Sequence, residues 1–135
     1  MRQALLVAAL AVGACSTPLS PQGDLRGMWA AIPSLPVSSL VMNLSQADAT
    51  ITGTGTYSGE LGHPGTLVVR GDVHGPIGDF AGGPTIDLFL TFDSGADSGL
   101  VKSFTGRLVD AQHMTGILAL NVVGGSSESV TFVRQ

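Results

Sequence analysis

Apolar and polar residues alternate over eight short segments of this chain, and this two-residue period limits what the chain can fold into. Between Thr85 and Asp93, for example, the residues Ile86, Leu88 and Leu90 are separated by single residues. Successive side chains of a β-strand point to opposite faces of a sheet, so alternation gives each strand one apolar face. This pattern is typical of an antiparallel sheet with one face on a core. After the first 14 residues, no segment has a sustained helical period.

The turn-rich sequences between these segments set the boundaries of the predicted strands. Gly, Pro, Asp and Ser are the residues that turns favour, and they cluster between the alternating segments. The eight predicted strands are Leu25–Ile32, Val37–Gln46, Ala49–Gly59, Thr66–His74, Thr85–Asp93, Val101–Asp110, Gln112–Val122 and Glu128–Arg134.

Glycines recur inside the predicted strands, always in phase with the apolar residues. Glycine weakens a strand interior, so its repeated use needs a physical reason. Tight coiling of a closed sheet supplies one, because an inward glycine relieves crowding where a strand bends. We therefore predict an all-β fold, an eight-stranded antiparallel up-and-down β-barrel. The glycines concerned are Gly27, Gly53, Gly55, Gly71, Gly106 and Gly116.

The N-terminus differs in kind from the rest of the chain. A basic start, Met1-Arg2, precedes an apolar run over residues 4–14 that is too short to span a membrane. The run ends in Val12-Gly13-Ala14-Cys15, which resembles the lipobox of bacterial lipoproteins. We predict a lipoprotein signal peptide over residues 1–14, a lipidated Cys15 with a flexible tether over 15–23, and the barrel domain over 24–135.

Cys15 is the only cysteine, so an internal disulfide is impossible. Lipid attachment would cap a thiol that is otherwise a liability in an oxidising compartment. The alternative is an ordinary signal peptide that happens to end in a cysteine. The Ser/Pro/Gly-rich tether after Cys15 spans at most about 26 Å, which would keep the barrel close to the membrane. The resemblance implies anchoring in the bacterial cell envelope by acyl chains on Cys15, and Ser16 after the cysteine implies the outer membrane, facing the periplasm.

The charge balance excludes some partners. The formal net charge is −4, with 6 basic and 10 acidic residues. An acidic chain has no electrostatic footprint for nucleic acid and no basic patch for anionic lipid headgroups. We therefore expect no nucleic-acid partner.

The first and last predicted strands carry a family resemblance. The first contains Gly27-Met28-Trp29 and the last ends in Val133-Arg134. A Gly-x-Trp in the first strand with a basic residue in the final strand resembles the calycins, which include lipocalins and avidins. The resemblance implies a barrel whose floor is covered by the Trp29 ring, with Arg134 lying over it, so that Gly27, Trp29 and Arg134 have structural roles. The other motifs of lipocalins and avidins are absent, so no ligand can be transferred.

The apolar interior is the best candidate for a binding site. An eight-stranded barrel is just wide enough to be filled by side chains or to hold one small ligand. Both alternatives stay open, because inward glycines make room while large residues occupy it. The predicted lining of the interior is Trp29, Leu40, Met42, Leu44, Ile51, Tyr57, Leu67, Val69, Val73, Ile86, Leu88, Leu90, Phe92, Phe104, Leu108, Met114, Leu118, Leu120 and Phe132. The proposed ligand-contacting residues among them are Trp29, Met42, Tyr57, Leu88, Leu90, Phe92, Phe104, Met114 and Leu118.

Catalytic and metal-binding signatures are weak. His63, His74 and His113 have no short mutual spacing, and the sequence contains no Gly-x-Ser-x-Gly nucleophile motif. The stretch Asp93–Asp97 superficially resembles a calcium loop, but a hairpin turn explains it better. We predict neither an enzyme nor a metal or other cofactor.

These observations lead to one function and one alternative. The first is a membrane-tethered, non-enzymatic binding module that takes a small apolar ligand in the barrel or holds a partner in the envelope. The alternative is an inhibitor or assembly factor that acts through loops or through the outer face. On that face Val68, Phe89, Val109, Ile117 and Val133 are predicted to point outward.

Overall fold

The computed structural model describes residues 23–32, 39–58, 64–75 and 84–135. The predicted signal peptide, Cys15 and most of the predicted tether lie outside these residues, as does His63. The described residues form eight strands, and every predicted strand is present with ends that differ by at most two residues. They are β1 (Gly27–Ala31), β2 (Ser39–Ala47), β3 (Thr50–Ser58), β4 (Pro64–His74), β5 (Thr85–Phe92), β6 (Val101–Leu108), β7 (His113–Leu120) and β8 (Ser127–Arg134).

The strands form a closed antiparallel barrel in which each strand pairs with its neighbours in the sequence, and β1 pairs with β8 to close the ring. This confirms the predicted fold class. The closing register places Trp29 opposite Arg134 and Ala31 opposite Phe132. Closure leaves no free sheet edge along these paired residues.

The barrel has two ends, which we call the floor and the mouth. The floor is where β1, β3, β5 and β7 begin and where β2, β4, β6 and β8 finish. It therefore contains Gly27, the β2–β3 turn and Arg134. The mouth is the opposite end, and it carries the β5–β6 connection (93–100) and the β7–β8 connection (121–126).

The core lies inside the ring and follows the predicted alternation. Its buried apolar residues form one cluster that includes Trp29, Met42, Phe104 and Phe132, each with no exposed surface. Seventeen of the 19 buried residues were assigned to the lining from sequence. Leu25 and Val130 were missed. Leu108 and Leu120, predicted to line the interior, are only partly buried because they are the last residues of β6 and β7.

The outer face is rich in Ser and Thr, and its exposed apolar residues are scattered. Phe89 has Arg70 and Ser103 as cross-strand neighbours, and Ile117 has Thr105 and Ser129. Val109 is exposed but lies beyond the end of β6. Isolated apolar side chains of this kind are normal on a soluble surface.

Candidate functional site

The floor is closed by Trp29 and Arg134, as the calycin resemblance implies. The guanidinium carbon of Arg134 lies 4.6 Å from the centre of the Trp29 ring, within cation–π range. Arg134 also donates to the carbonyls of Asp24, Arg26 and Ala111, and the last two bonds measure 2.7 and 3.0 Å. The floor is therefore a structural element that Arg134 holds together.

The backbone conformation at position 27 favours glycine. Its φ is +109°, a conformation that L side chains rarely adopt. This turn brings the chain from Leu25 into β1, so that the Trp29 indole N–H donates to the Leu25 carbonyl at 2.8 Å. Gly27 thus sets the position of Trp29 beneath Arg134.

The barrel wall is packed where glycines leave room. Gly106 and Gly116 are direct cross-strand partners. A Cβ on Gly106 would lie 2.4 Å from the Phe104 ring, and one on Gly116 would lie 2.9 Å from the same ring. The Phe104 ring covers both glycines and meets Phe132 edge to face at 5.3 Å. Here the space beside the glycines holds an aromatic ring of the protein itself.

The same arrangement recurs between Tyr57 and Gly65, which are also cross-strand partners. A Cβ on Gly65 would lie 2.3 Å from the Tyr57 ring. An aromatic ring lying on a glycine of the next strand is a known way to stabilise a curved sheet. Sequence analysis placed Gly65 in a turn, and that assignment was wrong because β4 begins at Pro64.

The structure brings all nine proposed ligand-contacting residues into one core cluster. Trp29, Met42, Leu90, Phe104 and Met114 have no exposed surface. Three others, namely Tyr57, Phe92 and Leu118, lie towards the mouth end of their strands. The part of the predicted site nearest to solvent is therefore the mouth.

A cavity of about 150 Å³ opens at the mouth, between the β5–β6 and β7–β8 connections. Its apolar side chains are Leu100, Leu118 and Leu120. Its polar lining residues are Asp97, Lys102, Ser126 and Glu128.

Two charged residues of this cavity sit on the inward face of the barrel. Lys102 is in phase with buried Phe104 on β6, and Glu128 is in phase with buried Val130 on β8. Both side chains are half-buried, and neither forms an ion pair in the part of the chain that the structure describes. The Lys102 ammonium lies 5.7 Å from the centre of the Phe92 ring. No charged side chain is fully buried among the described residues, and both of these half-buried charges are open to solvent at the mouth.

Tyr57 fixes the β5–β6 connection at the mouth. Its hydroxyl accepts a hydrogen bond from the Asp97 backbone N–H at 2.9 Å and donates to the Ser94 carbonyl at 3.4 Å. Its ring packs edge to face against Phe92 with centroids 4.6 Å apart. The β5–β6 connection contains a hydrogen-bonded turn over residues 95–98, in which the Ser98 N–H donates to the Gly95 carbonyl. The β5–β6 connection, which carries Asp97, is thereby fixed relative to the barrel wall.

A second cavity, of about 380 Å³, lies at the floor beside Gly23, Leu108, Gln112 and Arg134. The hydrogen bonds that Asp24 receives from Arg26, first from its side chain and then from its backbone, lower the pKa of the Asp24 carboxyl to about 2. The backbone N–H of Gln112 and the His113 side chain lower the pKa of Asp110. Hydrogen bonds from neighbouring residues stabilise both carboxylates. In this respect they differ from Lys102 and Glu128 at the mouth, which have no ion-pair partner among the described residues.

The described histidines lie outside the barrel interior. His113 Nδ1 is 2.8 Å from the Asp110 carboxylate, and His74 Nε2 is 3.5 Å from that of Asp87. Among the described residues, no Ser or Thr hydroxyl bonds to either imidazole, and no three His, Cys, Asp or Glu side chains are grouped to hold a metal ion. These pairs are surface contacts on the outer wall and at the floor.

Comparison of the chain with protein families, curated proteins and solved structures finds no match. In the described ranges, no helix has the length and apolar character needed to cross a bilayer. The geometry of the mouth therefore has to be interpreted on its own chemistry.

Sequence reasoning did not single out Lys102, Glu128, Asp97 or Leu100 as site residues. A usable signal was present for two of them. Lys102 and Glu128 fall in the apolar phase of strands β6 and β8, so the alternation already places two charges inside the predicted barrel. Asp97 and Leu100 could not be placed in the same way, because a connecting turn has no two-residue period.

Proposed function

We propose that this protein is a lipid-anchored, non-enzymatic binding module of the bacterial cell envelope, and that it binds a small ligand at the mouth of the barrel. The observation that carries the proposal is the pair of inward, half-buried charges, Lys102 and Glu128, in a cavity that they share with three leucines, Asp97 and Ser126. Since neither residue has an ion-pair partner among the described residues, both charges are available to a ligand that enters the cavity.

The packing of the interior supports the mouth as the site. The Phe104 ring occupies the room beside Gly106 and Gly116, and Trp29 and Arg134 close the floor. A ligand is therefore better accommodated above the leucines of the mouth than deep in the barrel. Of the predicted site residues, Leu118 lines this cavity, and the Phe92 ring lies 5.7 Å from the Lys102 ammonium.

The position of the N-terminal segment is compatible with a membrane anchor. The described chain starts at Gly23, whose carbonyl accepts a hydrogen bond from the Gln46 side chain at the floor, at 3.0 Å. An acyl-bearing Cys15 joined through residues 16–22 would approach the barrel at this end. The mouth, at the opposite end, would remain accessible to the compartment. An outer-membrane anchor facing the periplasm follows from the lipobox resemblance and Ser16.

Native mass spectrometry of the processed chain, extracted gently from membranes, tests ligand binding at the mouth. We expect the wild type to carry a bound small molecule. The Leu120→Trp variant should lose this molecule, because the larger side chain fills the mouth cavity. The Ile117→Trp variant, which is changed on the outer wall, should keep it. A wild-type protein that carries no adduct and binds no added small molecule, or a folded Leu120→Trp protein that retains the adduct, would contradict the proposal.

A second candidate, an inhibitor or assembly factor, is favoured by one feature of the mouth. Val122 and Val123 lie at the tip of the β7–β8 connection, and Val123 is fully exposed. A protein partner could bury both valines. A photo-crosslinking residue at position 123 that captures one envelope protein, together with an adduct-free mouth, would favour this candidate over ligand binding.

A further inference from the structure

We propose that the mouth cavity recognises a small zwitterion with an apolar group, of the amino-acid class. This inference rests on the proposed function and specifies its ligand. It depends on the size of the cavity, on the placement of opposite charges on its two sides, and on the leucines between them.

The cavity is too small for most ligands. Typical small-molecule sites enclose about 300–1,000 Å³, whereas the mouth encloses about 150 Å³. A guest of this size has only a few heavy atoms beyond its charged groups. A single amino acid with a medium-sized aliphatic side chain matches this limit.

The two inward charges lie on opposite sides of β7. Lys102 of β6 is the cross-strand partner of Leu120, and Glu128 of β8 is the cross-strand partner of Leu118. Since adjacent strands are about 4.8 Å apart, the backbones of β6 and β8 are about 10 Å apart. Lys102 and Glu128 do not form an ion pair across this gap. A molecule that carries both charges close together can contact both side chains at once.

A singly charged ligand would leave one side of the cavity uncompensated. An anion could pair with Lys102 but would also face the carboxylates of Glu128 and Asp97. A cation could pair with those carboxylates but would face the Lys102 ammonium. A zwitterion places its carboxylate towards Lys102 and its ammonium towards Glu128, so that each charge has an opposite neighbour. Leu118 and Leu120, between the charges, provide the surface for an aliphatic side chain.

Titration calorimetry on the processed, lipidated chain in detergent micelles tests this inference, with empty micelles as the blank. L-leucine is the probe. Isoamylamine retains its ammonium and aliphatic chain without the carboxylate, and 4-methylpentanoate retains the carboxylate without the ammonium. We expect each analogue to bind about tenfold more weakly than L-leucine, or worse, because each loses one charge-assisted hydrogen-bonding group.

Three variants assign the discrimination to residues. Lys102→Met should weaken L-leucine binding and remove its advantage over isoamylamine. Glu128→Gln should remove its advantage over 4-methylpentanoate. Arg107→Gln, an exposed charge on the outward face of β6, is the matched control and should leave all three affinities unchanged.

Two results would overturn the zwitterion inference while leaving the proposed function intact. One is equal binding of L-leucine and either analogue. The other is no binding of L-leucine by a protein that carries a different small molecule in native mass spectrometry. If the protein neither binds L-leucine nor carries any adduct, the inference and the proposed function both fail.

Discussion

The Arg134 guanidinium lies 4.6 Å from the centre of the Trp29 ring, and so the last strand of the barrel is fastened to the first. The same guanidinium donates to three backbone carbonyls, two of them in the segment that leads into β1. A lysine could supply the charge but not the planar set of donors.

Replacing Arg134 should therefore weaken the floor. We expect Arg134→Ala to lower the free energy of unfolding by about 1–2 kcal/mol, through lost cation–π and stem packing. Because Trp29 is the only tryptophan, its emission maximum should shift in the folded variant. Denaturant unfolding followed by fluorescence measures both effects. Arg107→Ala, on the outer wall, should change neither, and an unaltered Trp29 spectrum in Arg134→Ala would contradict the role of the contact.

The paired glycines of β6 and β7 should not tolerate a side chain. A Cβ at Gly106 would lie 2.4 Å from the Thr115 carbonyl oxygen, and one at Gly116 would lie 2.3 Å from that of Thr105. Backbone atoms cannot move aside cheaply, so Gly106→Val and Gly116→Val should each cost about 1–3 kcal/mol of stability. Urea unfolding measures this. Ala119→Val, which adds bulk on the outward face of β7, is the control and should be close to neutral.

Barrel closure can be tested by removing the end of β8. Deleting residues 130–135 removes Phe132 and Arg134, which pair with Ala31 and Trp29 to close the ring. We expect cooperative unfolding to be lost, because both neighbouring strands then have an open edge. Thermal unfolding followed by circular dichroism measures this. A truncated chain that melts sharply at nearly the wild-type temperature would rule out a structural requirement for closure.

The floor should weaken in acid. The pKa of Asp24 is about 2 in the folded protein, below the ordinary value of 3.8, chiefly because the Arg26 side chain bonds to its carboxylate. A lowered carboxyl pKa stabilises the fold above about pH 4, and this contribution is lost as the pH falls towards 2. The pair is exposed, so the contribution is below about 1 kcal/mol. Urea melts of wild type and Asp24→Asn should differ slightly at neutral pH and coincide near pH 2. A difference that persists near pH 2 would show that another effect of the substitution dominates.

The anchor has its own test. Cys15→Ser should abolish incorporation of a labelled fatty acid and release the protein from the membrane fraction, because the acyl chains would be its only attachment. Metabolic labelling followed by fractionation checks this. Equal labelling of wild type and variant would exclude lipidation at Cys15, and the barrel fold would be unaffected by that result.

The wall of the barrel could be predicted from sequence because the alternation of apolar and polar residues identifies each strand and also the face of it that points inward. Once Ile86 and Leu88 are assigned inward, the register follows to the end of β5. The predicted contact of Trp29 with Arg134 is confirmed by the structure. The inward phase of the glycines is also confirmed, since Gly53 and Gly55 are in phase with buried Ile51 and Tyr57.

Three of the residues that sequence missed, Leu25, Asp97 and Leu100, lie outside the strands, where this period ends. Leu25 is fully buried, yet it precedes β1 and is held by hydrogen bonds from Trp29 and to Gln46. The mouth combines Glu128 with Asp97 and Leu100 from a turn. Which turn residues face a cavity depends on tertiary contacts such as that of Tyr57 with Asp97, and these have no signature in local sequence.

The hydrogen bonds around Gln46 and Arg134 also determine how the barrel would respond to a mechanical load. A pull on the chain at Gly23 would act first on the bond from Gln46 to the Gly23 carbonyl, and then on the bonds that hold Leu25 and Arg26 to Gln46 and Arg134. All of these lie at the floor, before the first strand pair of the wall. These hydrogen bonds at the floor would therefore break before any strand pair separates. Tension on the predicted tether would leave the shape of the mouth unchanged.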